Sequence, residues 1–334
     1  MVGAEASTGR TFLFTGRDNF SWTLEQQALG SNRIQPNVTG EEIQITGKSG
    51  TANNFGYAMT SGDLNGDGKK DLAVGAETDG GSTDGRVYIF YNDGNYSSGA
   101  TSADAIIVGR SGDRFGSDLV AGDMNADGKV DLIVVGTYTG TGYVNIFYND
   151  GSYPENASQA DVVITGDSVT SSGAKVVTGD LNADGKDDLI VGMIGYSSYT
   201  GAAYIFYNDG SIPTSVGSAD VTITGNATND LFGFTLVTGD FNADGEVDLA
   251  VGARGYSSNT GRAYVFYNDG SIPTTAATAD VTLTGETTSN YFSFSISIAD
   301  YNRDGANDLA VGAYGNASFV GKVYIFNSTP ATGS

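Results

Sequence analysis

Short stretches of alternating apolar and polar residues, separated by Gly-rich and Asn-Asp-Gly turns, run along the chain. Around residue 232 the order is clear. Residues 232–240 alternate into an acidic loop, residues 248–251 form an apolar run, and a Gly-Ala pair leads into a polar loop. Residues 261–267 then alternate small and aromatic side chains, Asn268-Asp269-Gly270 makes a turn, and residues 280–284 alternate again. β-Branched and aromatic runs bounded by such turns predict strands and hairpins. A period of 3.6, which would predict helices, is absent.

This unit recurs. GDLNGDGKKDLAVGA begins at Gly62, GDMNADGKVDLIVVG at Gly122, GDLNADGKDDLIVGM at Gly179, GDFNADGEVDLAVGA at Gly239 and ADYNRDGANDLAVGA at Ala299. Successive copies start 60, 57, 60 and 60 residues apart. Four antiparallel strands per period predict an all-β fold, a β-propeller of four-stranded blades, because radial repetition protects sheet edges. The whole chain, residues 1–334, reads as one such domain, with repeats at about 55–108, 115–165, 172–224, 232–284 and 291–326. A long β-solenoid would have a shorter repeat.

The ends are uneven. Residues 2–14 resemble the end of a second strand plus a third strand, and residues 41–47 resemble a fourth strand, whereas the last copy stops after its third. Residues 1–47 are therefore expected to complete the last blade, in their own ring or in a neighbouring subunit, since an open edge invites pairing. Five blades carry an acidic loop. The remaining length leaves room for a sixth, degenerate blade around residues 1–40, with Trp22 in its core.

Each acidic loop reads D-x-N-x-D-G-x-x-D. The sets are Asp63, Asn65, Asp67, Asp71; Asp123, Asn125, Asp127, Asp131; Asp180, Asn182, Asp184, Asp188; Asp240, Asn242, Asp244, Asp248; and Asp300, Asn302, Asp304, Asp308. The backbone carbonyls of Lys69, Lys129, Lys186, Glu246 and Ala306 fall at position seven. Side-chain oxygens at positions one, three and five followed by a carbonyl at seven follow the wrapping of an EF-hand loop, with Gly at six for the sharp turn. The last acid arrives at position nine rather than twelve and leads into a strand, which argues against an EF-hand. Hard oxygens in an irregular wrap suit Ca²⁺ best. An Asx-rich turn that needs no metal is the alternative reading; five loops with the same oxygen positions favour about five structural Ca²⁺ ions.

Composition sharpens this picture. The chain has 39 acidic against 16 basic residues, a net charge of −23, and neither Cys nor His. Thiol and imidazole chemistry, disulfides, Cys/His zinc sites and a Ser-His-Asp triad are excluded. So acidic a chain, with a pI near 4.1, does not suit nucleic acid. No window has some 18 successive apolar residues, so membrane insertion is not expected, and residues 1–20 lack an apolar signal core. Such charge makes a compact state repel itself. Five Ca²⁺ ions would reduce −23 to −13.

Phe55-Gly56, Phe115-Gly116 and Phe232-Gly233 precede their loops, and Gly75-Ala76, Gly252-Ala253 and Gly312-Ala313 follow them. Over about residues 41–326 this resembles the FG-GAP repeat of integrin α-subunit propellers and related bacterial, archaeal and fungal proteins. Ser172-Gly173 and Phe292-Ser293 depart from the Phe-Gly pattern, and five loops stand where integrins have about seven blades. The resemblance implies a Ca²⁺-bound extracellular or cell-surface propeller used for adhesion, binding a protein or a glycan.

Strand alternation puts the acidic loops and the YNDG turns on one face and the variable two-to-three loops on the other. Tyr138, Tyr196, Tyr199, Tyr256 and Tyr314 lie in those variable loops and are candidate ligand contacts; packing between blades is the competing role. Tyr88, Phe90, Phe147, Phe206, Phe266 and Phe326 alternate in the third strands and are expected in the core. Sequons at Asn19, Asn37, Asn95, Asn156, Asn226, Asn316 and Asn327 point weakly to a secreted glycoprotein. A filament subunit joined by its N-terminal strands is the alternative function. An enzyme, such as a carbohydrate-active hydrolase or lyase, is a distant third, because no His is available and no catalytic constellation is evident.

Overall fold

A computed structural model describes residues 2–4, 10–13, 22–25, 33–36, 43–48, 53–80, 83–94, 96–138, 141–166, 174–315 and 320–328, with side chains from residue 45 onward. Their regular structure is almost entirely antiparallel β, broken by single-turn 3₁₀ segments such as Ala100–Ser102. Sheet one comprises Phe55–Gly62, Asp71–Ala76, Arg86–Phe90 and Ala105–Val108. Sheet two comprises Asp118–Gly122, Asp131–Tyr138, Thr141–Phe147 and Val162–Thr165. Sheet three comprises Ala174–Gly179, Asp188–Met193, Ala202–Phe206 and Val221–Thr224. Sheet four comprises Phe232–Gly239, Asp248–Ala253, Arg262–Phe266 and Val281–Thr284. In all four the strands pair in sequence order, as hairpin-connected strands do. Sheet five has three, Phe292–Ala299, Asp308–Ala313 and Lys322–Phe326.

The cores lie between consecutive sheets, which makes the arrangement propeller-like. Leu132 and Val134 of sheet two share a cluster with Ala73, Val87 and Ile89 of sheet one. Val176 and Leu189 pack on Ile133 and Val144, and Leu249 and Val251 pack on Ile190 and Ile205. Of the third-strand aromatics, Tyr88, Phe90, Phe147, Phe206 and Phe266 are buried as expected. Phe326 is only half-buried. The reason lies in sheet five itself: Val323 and Ile325 are 68% and 57% exposed, whereas their counterparts Val87, Ile89, Ala203 and Ile205 are fully covered by the next sheet.

The glycine of a Phe-Gly pair meets the penultimate glycine of the second strand of the preceding sheet. Gly116 and Gly233 have φ of +87°, a conformation that costs a side-chain-bearing residue about 1 kcal/mol or more. Against them press the glycines of the preceding sheet: a Cβ on Gly75 would lie 2.1 Å from the Gly116 carbonyl oxygen, and one on Gly192 2.3 Å from that of Gly233. Gly192→Ala is therefore expected to destabilise by about 2–3 kcal/mol, since backbone on both sides must part; a urea midpoint unchanged from wild type would contradict this close approach. In sheet five Ser293 replaces the glycine at φ +64°, and its hydroxyl donates to the Arg262 carbonyl at 2.8 Å.

The N-terminal strands differ from expectation. Ile43–Thr46 pairs with Arg10–Leu13, which pairs with Val2–Ala4, giving a separate three-stranded sheet rather than the outer strand of sheet five. Ile45 packs into sheet one beside Phe55 and Val74. The Thr46 amide donates to the Ser98 carbonyl at 3.0 Å, as Val108, Thr165 and Thr224 do to the 3–4 connections of the sheets that follow them. A fourth strand therefore docks on the sheet after it, and its own third strand, Arg10–Leu13, lies close enough to hold it. Among the described residues, nothing pairs with the free edge of Lys322–Phe326. Trp22–Glu25 and Arg33–Pro36 form a separate hairpin; the expected core role of Trp22 falls outside the described side chains, as does the Ser172-Gly173 position.

Candidate metal loops and the opposite face

All five acidic loops fall between the first and second strands of sheets one to five. In the first, Asp63 Oδ1 accepts the Asp67 amide at 3.0 Å and Oδ2 the Gly68 amide at 2.8 Å. Asn65 Oδ1 accepts the Asp67 amide and Asp67 Oδ1 the Lys69 amide, both at 2.9 Å. Positions one, three and five thus gather on one turn of backbone. The same bonds recur around Asp123, Asp180, Asp240 and Asp300.

Position nine is held differently. Asp71 is buried, and its two oxygens accept the amides of Leu64 at 2.9 Å and Asn92 at 2.7 Å. Asp131, Asp188 and Asp248 do the same with Met124 and Asn149, Leu181 and Asn208, Phe241 and Asn268. Asp308 accepts from Tyr301, Asn302 and Ser328. These acids tie the loop to the 3–4 turn of their own sheet, which places the two on one face as expected. The Lys69, Lys129 and Lys186 ammonium groups reinforce that tie by donating to the carbonyls of Asn92, Asn149 and Asn208.

Burial pushes the carboxyls of Asp131, Asp188 and Asp248 up to about 6; amide donation opposes this, and the carboxylates at positions five and one add to it. Asp71 is raised by the same forces. Asp67, held by the Lys69 amide and charge, is lowered. Among the described residues, no three acidic side chains converge into a ready-made cation cage, because position nine faces the backbone. The donor set nevertheless fits a hard divalent ion: each loop offers carboxylate and amide oxygens on a Gly-assisted turn, and in sheets one to four the acids at positions one and five push the position-nine carboxyl upward. A Ca²⁺ ion held there would supply two positive charges where these carboxylates crowd.

The turn asparagines Asn149, Asn208 and Asn268 were not singled out from the sequence, where YNDG reads as an exposed hairpin turn. All three are at most 3% exposed. Their recurrence at one turn position in every complete repeat is the signal that could have found them.

On the opposite face the tyrosines divide. Tyr196 packs edge-on to Tyr204 within its own sheet. Tyr256 lies under the Arg262 guanidinium, 3.7 Å from the ring centroid. Tyr314 stacks on Tyr291 at 5.0 Å and against Phe294 at 4.4 Å, while staying 39% exposed. Tyr199 is 42% exposed. The side chain of Tyr138 lies outside the described ones. Tyr199 sits in a left-handed run, with φ of 45°, 57° and 63° at Ser197, Ser198 and Tyr199. Three such residues are costly, and the next sheet holds them: Ser198, Tyr199 and Thr200 carbonyls accept the amides of Asn229, Leu231 and Phe232. Ser257, Ser258 and Asn259 repeat the device and, with the 227–230 segment and its buried Asp230, line a pocket of about 500 Å³.

Residues 63–134 and 123–191 match the FG-GAP-like repeat, and residues 232–266 and 292–326 the FG-GAP repeat. Integrin alpha-PS2 of Drosophila melanogaster is 30% identical over 169 residues, 47% of this chain and 12% of that protein. Human integrin alpha-7 is 33% identical over 164 residues, 46% of this chain and 13% of its own length. Human phosphatidylinositol-glycan-specific phospholipase D is 33% identical over 207 residues, 54% of this chain and 24% of its own. The alignments thus span a quarter or less of these relatives. Among solved structures, the exotype rhamnogalacturonan lyase YesX aligns with a TM-score of 0.43 at 12% identity, over 76% of this chain and 44% of that one. No described helix is long and apolar enough to cross a membrane.

Proposed function

The chain belongs to the FG-GAP repeat family, and from that premise we propose that it is a calcium-stabilised binding or adhesion module acting outside the cell, on a protein or glycan, and not an enzyme. The observation that supports this best is the fivefold recurrence of one oxygen-rich loop on one face, opposite a face whose loops vary outside the Gly-Tyr-Ser-Ser turn shared by sheets three and four. The loops would hold five structural Ca²⁺ ions through the residues at positions one, three and five and the carbonyl at seven, with position nine, whose oxygens already accept backbone amides, adding only its remaining lone pairs. Variable loops on a rigid scaffold are where recognition resides.

Tyr199 is the best-presented candidate contact, exposed and fixed by its neighbours' amides; Tyr314 is the second. In an array of immobilised glycans and matrix proteins, the calcium-loaded chain is expected to bind at least one class, and Tyr199→Ala to weaken that binding at least fivefold without shifting the melting temperature. Binding by Tyr199→Ala and Tyr314→Ala both equal to wild type would remove this face from the reading. Release of reducing sugar or lipid products by the purified protein would overturn the non-enzymatic assignment.

A second reading, an extracellular filament joined by exchange of the N-terminal strands, is favoured by one feature: among the described residues, sheet five presents an unpaired edge and the exposed Val323 and Ile325. It expects concentration-dependent oligomers on sizing columns, abolished by Val323→Glu with Ile325→Lys. A monomer at all concentrations would end it.

A further inference from the structure

The five loops are not independent in this structure. The Asn149 amide donates to Asp131 of its own loop at 2.8 Å, while its side-chain Nδ2 donates to the carbonyl of Asp63, the first residue of the preceding sheet's loop, at 3.1 Å. Asn208 bridges Asp188 and the Asp123 carbonyl, at 2.9 and 2.8 Å. Asn268 bridges Asp248 at 2.8 Å and the Leu181 carbonyl, next to Asp180, at 3.0 Å. Each residue thus touches position nine of one loop and the start of the loop before it.

The carboxamides of Asn149 and Asn208 use both N–H groups and the oxygen. Asn149 and Asn208 spend their second N–H on Val130 and Asp187 carbonyls, and their Oδ1 accepts the Gly151 and Gly210 amides. Two donors facing two carbonyls fix the orientation of the group; an aspartate there would set a carboxylate against both. Sheet five lacks the asparagine, with Ser328 in its place, and its loop reaches back by a backbone bond instead, from the Asn307 amide to the Asp240 carbonyl at 3.2 Å.

We propose that Asn149, Asn208 and Asn268 are positioning residues that couple each cation loop to its predecessor, so that calcium binds along the array cooperatively. The proposal rests on the calcium reading above. An ion that orders positions one and nine of one loop fixes the turn carrying the asparagine, and through its Nδ2 the entry to the neighbouring loop. By linkage the neighbour then binds more tightly, and the effect is mutual.

The test is calorimetric titration of CaCl₂ into the chelated full-length chain. Wild type is expected to take up its ions with a Hill coefficient above 1. Asn208→Ala is expected to break the array between the second and third loops, lowering that coefficient and weakening two of the five ions about five- to tenfold. Asp209→Ala, an exposed neighbour in the same turn, should leave the isotherm unchanged. Asn208→Ser, which copies the natural Ser328 and keeps one donor, should fall between the two and serves if the alanine variant does not fold. A purely structural asparagine would lower the melting temperature of the chelated protein without altering the shape or midpoint of the isotherm, and that result overturns the coupling while leaving the calcium reading intact. No uptake by wild type overturns both.

Discussion

Stripping calcium from the loaded protein at pH 7.5 is expected to lower its unfolding free energy by about 7 kcal/mol. The figure follows from five sites each held at about ten times its dissociation constant, with roughly 1.4 kcal/mol per site. That rivals the whole stability of an ordinary domain, so the chelated protein should melt far earlier or be partly unfolded at room temperature. The pH response separates this from a general salt effect. With folded-state values of about 6 against an ordinary 3.8, Asp131, Asp188 and Asp248 hold more protons in the folded chain than in the unfolded one between those limits. Their contribution is therefore full below about pH 4 and is lost as pH rises through 6. Each is worth about 1 kcal/mol once water at the loop mouth is allowed for. Asp67, lowered rather than raised, acts in the opposite sense only below its ordinary value, so the window from pH 5 to 7.5 isolates the buried acids. The chelated protein should melt higher at pH 5 than at pH 7.5, and the gain from added calcium should shrink over the same fall as protons compete for the same oxygens. Scanning calorimetry with and without chelator checks both; equal melting temperatures at pH 7.5 would sink the structural role of the ion.

Much of this architecture was legible because each part is local. The strands of sheet four lie within a residue or two of the expected bounds, and the loops form where D-x-N-x-D-G-x-x-D places them, since an Asx turn needs only its own few residues. The identity of Ile43–Thr46 as a fourth strand was legible too, but not its partner. Its sequence specifies an edge and a face, whereas pairing with Arg10–Leu13 rather than Lys322–Phe326 is a long-range choice between similar third strands. The left-handed Ser197–Tyr199 run was hidden for a related reason: non-glycine residues there are unfavourable locally, and only amides of the next sheet hold them. Which loop tyrosines pack on the protein was not legible, because a tyrosine in a loop reads alike whether it faces solvent, Tyr204 or Arg262. Asn208 was missed because a hairpin turn predicts exposure, and its burial comes from the preceding sheet.

Replacing Phe232 by alanine is expected to cost about 3–5 kcal/mol, the range for a fully buried aromatic. Its ring meets Tyr264 and Phe266 edge-on, with centroids 5.4 and 6.3 Å away, and packs with Ile190, Ala203 and Ile205 of sheet three. Gly201 and Gly225 of sheet three also close on its backbone and Cβ, so the space cannot refill without moving main chain. The form of the transition matters as much as its midpoint. Sheets that bury their cores only against sequence neighbours behave as a one-dimensional array, whose stability is a sum of unit and interface terms. Weakening the third interface by this much should let residues 232–326 melt before the rest, so that urea denaturation followed by circular dichroism shows two steps where wild type shows one. The closest counterpart, Phe115→Ala at the interface of sheets one and two, should move the division toward the N-terminus. A single step in both variants, at a lowered midpoint, would mean that sheet five is tied back to the N-terminal sheet: a ring distributes the loss over every interface, and a linear array does not.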